Sequence, residues 1–179
     1  MILKSVCLDL KLLKDVKRKM NNKVEPTGSI LQFVKNRYEG KIVEDSLSPA
    51  GNWLSYTLEK IEKGMAEITL EVKREMTNPY GNIHGGMMAL VMDEVIGWSV
   101  ISLDTENHYT SLNLNVDFLY AIKEGERLRA VSNIVRAGKK IIHVECTVYD
   151  MENTLLGKAS SNLIVTSMKP KDNSSRVAN

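Results

Sequence analysis

The chain has 179 residues, 43% of them hydrophobic and 26% charged, which is the size and balance of one globular domain and too apolar for disorder. With 24 basic residues against 22 acidic ones the net charge is +2, so there is no whole-protein footprint for nucleic acid or an anionic membrane. Cys7 and Cys146 lie 139 positions apart and match no metal or redox spacing; they read as incidental buried thiols of a reducing compartment.

Charge is distributed unevenly along the chain. Residues 1–50 carry ten basic and six acidic side chains, residues 51–167 carry eleven and fifteen, and residues 168–179 carry three and one. These segments are read as a helical N-terminal extension (1–50), a core domain (51–167) and a flexible tail (168–179). In the first, Leu3, Val6, Leu10, Leu13, Val16 and Met20 recur at steps of three and four, the pattern of an amphipathic helix. Such a helix packs on its own domain or on a partner subunit more often than on a membrane surface. Lys4, Asp9, Lys11, Lys14 and Asp15 interrupt its apolar positions, so no secretory signal is read and the expected location is the cytoplasm. A second helix is expected after Thr27 or Ser29 as N-cap, ending at Gly40.

From Trp53 the periodicity shifts toward two. Trp53–Ile61 and Ala66–Val72 are expected strands around a Glu62-Lys63-Gly64 turn. The longest apolar stretch, Met87–Ile101, contains Asp93, Glu94 and Gly97 and has only 15 residues, too short for a membrane span, so it reads as a buried helix over 86–101. Four strands follow near 110–120, 126–137, 140–150 and 154–167, with Gly138 and Glu152-Asn153 at turns. The expected class is α+β, an antiparallel sheet wrapped around one central helix. Phosphate-loop, dinucleotide, zinc-protease and α/β-hydrolase motifs are all missing.

Chemistry concentrates in Asn78-Pro-Tyr-Gly-Asn-Ile-His84-Gly85-Gly86, which leads into the apolar helix and on to Asp93-Glu94. Paired glycines at a helix start let a ligand approach the backbone, and first-turn N–H groups there can polarise a carbonyl; alternatively they form a tight loop. Asp93 sits among Met87, Met88, Leu90, Val91, Met92, Val95 and Ile96. A carboxylate in such company bears a desolvation cost unless it is hydrogen-bonded or used as a base; a salt bridge is the other reading, and Glu94 competes for the role. Nine residues separate His84 from Asp93, about 13 Å along a helix and on its opposite side. One chain therefore does not easily bring both to one carbonyl, and a two-fold dimer would.

The NPYGNIHGG segment followed by Asp93 resembles the active-site segment of hotdog-fold acyl-CoA thioesterases, in the group related to the phenylacetate-degradation thioesterase. The resemblance spans about residues 50–167. It implies a hotdog fold, dimers or dimers of dimers with the site between subunits, and hydrolysis of acyl- or aryl-coenzyme A. No cofactor is implied, since coenzyme A is part of the substrate, and no metal. By the same resemblance Asp93 is the general base or nucleophile, the Gly85 amide polarises the thioester carbonyl, Asn78 places the carbonyl or water, and His84 supports the loop. Gly86 joins the substrate-binding set. Ser111 falls where some members carry a polar residue assisting the water, although it also reads as a solvent-facing strand residue. Arg136, Lys139 and Lys140 resemble a basic hairpin near the coenzyme A phosphates, or are simply solvated. His143 and His108 read as surface histidines. A non-catalytic acyl-CoA-binding module is the alternative from another class; a hotdog hydratase or dehydratase would need a His and acidic pairing for which no segment matches.

Overall fold

In the computed structural model, residues 29–105 and 107–167 are described. The helix expected near the N-terminus, the tail and Cys7 lie outside them. Helix α1 spans Ile30–Tyr38 and is followed by the two-residue strand β1, Lys41–Ile42. Ser29 is its N-cap, accepting the Gln32 N–H at 3.1 Å, and Lys35 and Arg37 complement the dipole in its last turn. Gly40 follows with φ of 72°, where a side chain would be strained, and donates its N–H to the Leu58 carbonyl at 2.7 Å.

The next segment departs from the sequence reading. Pro49–Leu54 is helical (α2), so the strand expected to begin at Trp53 begins instead at Thr57. Local chemistry outweighs alternation here: Ser48 caps the helix by accepting the Gly51 N–H, Pro49 occupies its first turn, and Ser55 ends it at φ of 57°. Strands β2 (Thr57–Glu62) and β3 (Met65–Glu71) then form the expected hairpin, closed by Lys63-Gly64 with Gly64 at φ of 82°. A 3-10 turn, Arg74–Met76, precedes the long helix α3, Gly85–Ile101.

After α3 come β4 (His108–Phe118), β5 (Arg127–Ala137), β6 (Ile141–Asp150) and β7 (Leu155–Thr166), close to the expected bounds. All seven strands form one sheet in the order β1-β2-β3-β5-β6-β7-β4, antiparallel at every named pairing. Among the described residues β4, eleven residues long, is thus an edge strand paired only to β7. The sheet wraps α3, whose Met88, Val91, Met92, Val95 and Ile96 are buried against Leu58, Ile68, Leu128, Ala130, Val144 and Val148. Burying such side chains contributes roughly 1.5–3 kcal/mol each. Val34 and Val43 belong to the same core, so residues before the hotdog-like region are packed into it.

Candidate active site

The approach to α3 is held from several sides. His84 donates its backbone N–H to Met76 at 2.8 Å, Ile83 donates to Ile122 at 2.8 Å, and Asn78 and Asn82 close the turn between them at 2.7 Å. The side chain of Asn78 has its oxygen engaged, accepting from the N–H groups of Tyr80 (2.9 Å) and Asn82 (3.3 Å). Its NH2 group is left to donate elsewhere. His84 is the N-cap of α3: its Nδ1 accepts the Gly86 N–H at 2.9 Å, and its carbonyl accepts from Met87 and Met88. Nδ1 must therefore be unprotonated in this arrangement.

This capping decides which first-turn donor is available. The N–H groups of Gly86, Met87 and Met88 are all taken by His84, whereas that of Gly85 has no partner among the described residues. A cavity of about 370 Å³ opens beside it, lined by Asn78, Asn82, Ile83, Gly85, Met88, Phe118, Leu119, Tyr120 and Ala121. Gly86, placed in the substrate-binding set by the resemblance, has its N–H committed to the His84 cap.

The two neighbouring carboxylates have opposite surroundings. Glu94 is half-buried: Ser48 Oγ donates to its Oε1 at 2.5 Å and Tyr56 Oη donates to Oε2 at 3.4 Å. Tyr56 in turn accepts from Trp98 Nε1 at 2.6 Å. Burial pushes the Glu94 carboxyl above its usual range; the bonds from Ser48 and Tyr56 oppose this and the Asp93 charge adds to it. Burial likewise raises the Tyr56 hydroxyl far above normal and lifts the Cys146 thiol to about 12. Asp93, expected to be enclosed by apolar neighbours, is instead exposed in the single chain, because those neighbours face the sheet while it faces away. Ser111 on β4 reaches it with a long 3.4 Å hydrogen bond from Oγ to Oδ1.

The predicted residues therefore fall into three groups. Asn78, His84, Gly85 and Gly86 meet at the start of α3. Asp93 and Ser111 meet one side of α3 further along, and Asp93 does not line the Gly85 cavity. Arg136, Lys139 and Lys140 belong to the β5–β6 hairpin region, where Lys139 lines a second cavity of about 370 Å³ with Lys63, Leu103, Thr105, Asn107 and Tyr109. His143 is bonded through Nδ1 to Asn162 Oδ1 at 2.9 Å within the sheet, and His108 begins β4. Sequence reasoning missed Phe118, Leu119 and Tyr120; the aromatic run directly after an alternating strand was the available signal.

One long helix enclosed by a single antiparallel sheet, with a backbone donor at its start that is unpaired among the described residues, is the architecture of a hotdog protein. Residues 80–156 match the thioesterase superfamily, and the chain belongs to that family. A Sulfurisphaera tokodaii protein named "Putative esterase" is 34% identical over 102 residues, covering 57% of this chain and 75% of that one. The Escherichia coli medium/long-chain acyl-CoA thioesterase YigI is 24% identical, covering 65% and 85%. Among solved structures, a hypothetical thioesterase from Streptococcus pneumoniae with coenzyme A has a TM-score of 0.59 at 28% identity, covering 62% of this chain and 85% of that one.

Proposed function

We propose that this thioester hydrolase acts on acyl-coenzyme A, with the acyl carbonyl held at the Gly85 N–H. The observation that carries this reading is that donor: unpaired, at the positive end of a helix, and facing a cavity. Asn78 lines the same cavity, and its NH2 group would supply a second donor for the carbonyl or the water. Asp93, from a second subunit, accepts a proton from the attacking water. Hydroxide adds to the carbonyl carbon, the developing oxyanion is stabilised at Gly85, and the C–S bond then breaks. Coenzyme A leaves as the thiolate and is protonated; the acyl group leaves as the free acid. In the nucleophilic alternative Asp93 attacks the carbonyl itself and water hydrolyses the resulting anhydride.

The second subunit is inferred from the geometry of one. Asp93 and Ser111 are both exposed, 3.4 Å apart, on the side where β4 leaves its edge unpaired, and Leu112 on that edge is 56% exposed. A long edge strand of this kind is normally paired or covered. Two-fold pairing of β4 edges would turn Asp93 of each chain toward the start of α3 in the other. The hairpin residues Arg136, Lys139 and Lys140 would then contact the phosphates from the same second chain.

The test is release of free thiol from a panel of acyl-CoAs. Hydrolysis by the wild type, abolished in an intact oligomer of Asp93→Ala, is the expected result; retained activity rejects Asp93, and tight binding without thiol release makes the protein a binding module instead. Mixing Asp93→Ala with Asn78→Ala subunits should restore about a quarter of wild-type activity after random exchange, because each mixed dimer holds one intact site. A site built within one chain would show no such recovery. Single turnover in H2¹⁸O separates the two chemistries, since only the nucleophilic path places label in the Asp93 carboxylate.

A further inference from the structure

Gly85 is helical, without the positive φ that would call for glycine, so its backbone would accept alanine. A Cβ on Gly85 would instead crowd Phe118, lying 3.1 Å from the ring's Cζ and 3.3 Å from Cε2, so the ring would have to give by a few tenths of an ångström. Phe118 ends β4, lines the Gly85 cavity and is nevertheless 57% exposed. It is seated opposite Gly157 of β7, and a Cβ on Gly157 would come within 2.9 Å of Met92 Cε. The strand end, the helix start and the neighbouring strand are thus fitted together by two glycines, with the ring beside the position a Gly85 side chain would take.

We propose that Phe118 is the specificity-determining residue of the acyl site: its ring shields the Gly85 N–H from water and sets the width of the path by which a thioester reaches that donor. This rests on Gly85 being the carbonyl donor. A backbone N–H flanked by an aromatic ring interacts more strongly with a developing negative oxygen than one in open water, since water no longer competes and the local dielectric falls. The same ring fixes how much bulk fits next to the carbonyl carbon. One methylene in an apolar pocket already changes selectivity about 10- to 200-fold. Removing a whole ring should therefore shift selectivity toward branched and aryl acyl groups.

The test is a double-mutant cycle in the full-length protein, read as kcat/KM on straight-chain, branched and aryl acyl-CoAs. Gly85→Ala should lose about tenfold, because the added methyl crowds the ring and narrows the path to the donor; adding Phe118→Ala should recover most of that loss, the amide itself being unchanged. Phe118→Ala alone should raise KM for straight chains and shift preference toward bulkier acyl groups by about tenfold. Phe118→Leu serves in the same cycle if the alanine variant melts early. A folded double variant no better than Gly85→Ala, with an unshifted acyl preference in the single Phe118 variant, overturns the assignment. Absence of thiol release by the wild type would instead sink the underlying acyl-CoA reading, so the two failures are distinct.

Discussion

Helix α3 presents two adjacent carboxylates to opposite environments. On the covered side Glu94 is clasped by Ser48 and Tyr56, with Trp98 one turn on completing the chain of donors. Ser99 and Ser102, also buried, spend their hydroxyls on Ile96, Ser132 and Ser99, and Ser102 Oγ accepts the Gly64 N–H of the β2–β3 hairpin. Polar groups there are mutually satisfied, which fixes the helix in place. On the open side Asp93 has one long bond from Ser111, and at the helix start the Gly85 donor is unpaired. Unspent bonding capacity marks where a ligand or a second chain can be received; spent capacity marks scaffold.

The contrast is broken most severely at Asp93. Asp93→Asn should lower kcat/KM about 10²- to 10⁴-fold on acyl-CoA substrates while leaving the melting temperature nearly unchanged, as steady-state kinetics and calorimetry would establish. Glu94 should behave the other way. Glu94→Ala, which strips Ser48 and Tyr56 of their acceptor, should cost about 1–3 kcal/mol in urea unfolding.

Glu94→Gln sharpens the comparison through pH. Because the folded carboxyl titrates above its unfolded counterpart, the native state holds its proton longer. Its stability is complete below the unfolded range near about 4.3 and declines as pH rises through the raised folded value. Glutamine keeps the acceptor without the charge. The variant and wild type should therefore coincide at low pH and diverge above it, the variant being the more stable; parallel pH profiles would remove burial of the charge as the cause.

Smaller effects separate cap from catalyst. His84→Ala should cost about 1 kcal/mol of stability through the lost N-cap, and its activity should fall because the freed Gly86 N–H competes for the carbonyl. Ser111→Ala should reduce kcat only about two- to fivefold, in keeping with one long hydrogen bond; a larger loss would give Ser111 a more direct part in handling the water.

Much of this frame was legible in the sequence because periodicity and turns carry it. The central helix and the last four strands fall within a few residues of their expected bounds, since each is set by a long apolar pattern and punctuated by glycine or a polar turn. Helix α2 was not legible: six residues are too few to display a helical period, and only the Ser48-Pro49 cap announced it. The two carboxylates illustrate a second limit. Hydropathy says that α3 is apolar on all sides but not which side lacks a sheet, so Asp93 and Glu94 could be told apart only by the strands and by α2 packed against Glu94. The placement of Phe118 over Gly85 depends on a contact between residues 33 positions apart, which no local pattern encodes.

The family match begins at residue 80, yet the hydrogen-bonded carboxylate next to Asp93 takes its donors from Ser48 and Tyr56, and Gly51 lies so close that a methyl group there would collide with the Glu94 carboxylate. The segment matched by the family and the packed unit are therefore different lengths of chain. Cutting the protein at residue 80 would not trim an appendage; it would remove one wall of the socket that holds the central helix.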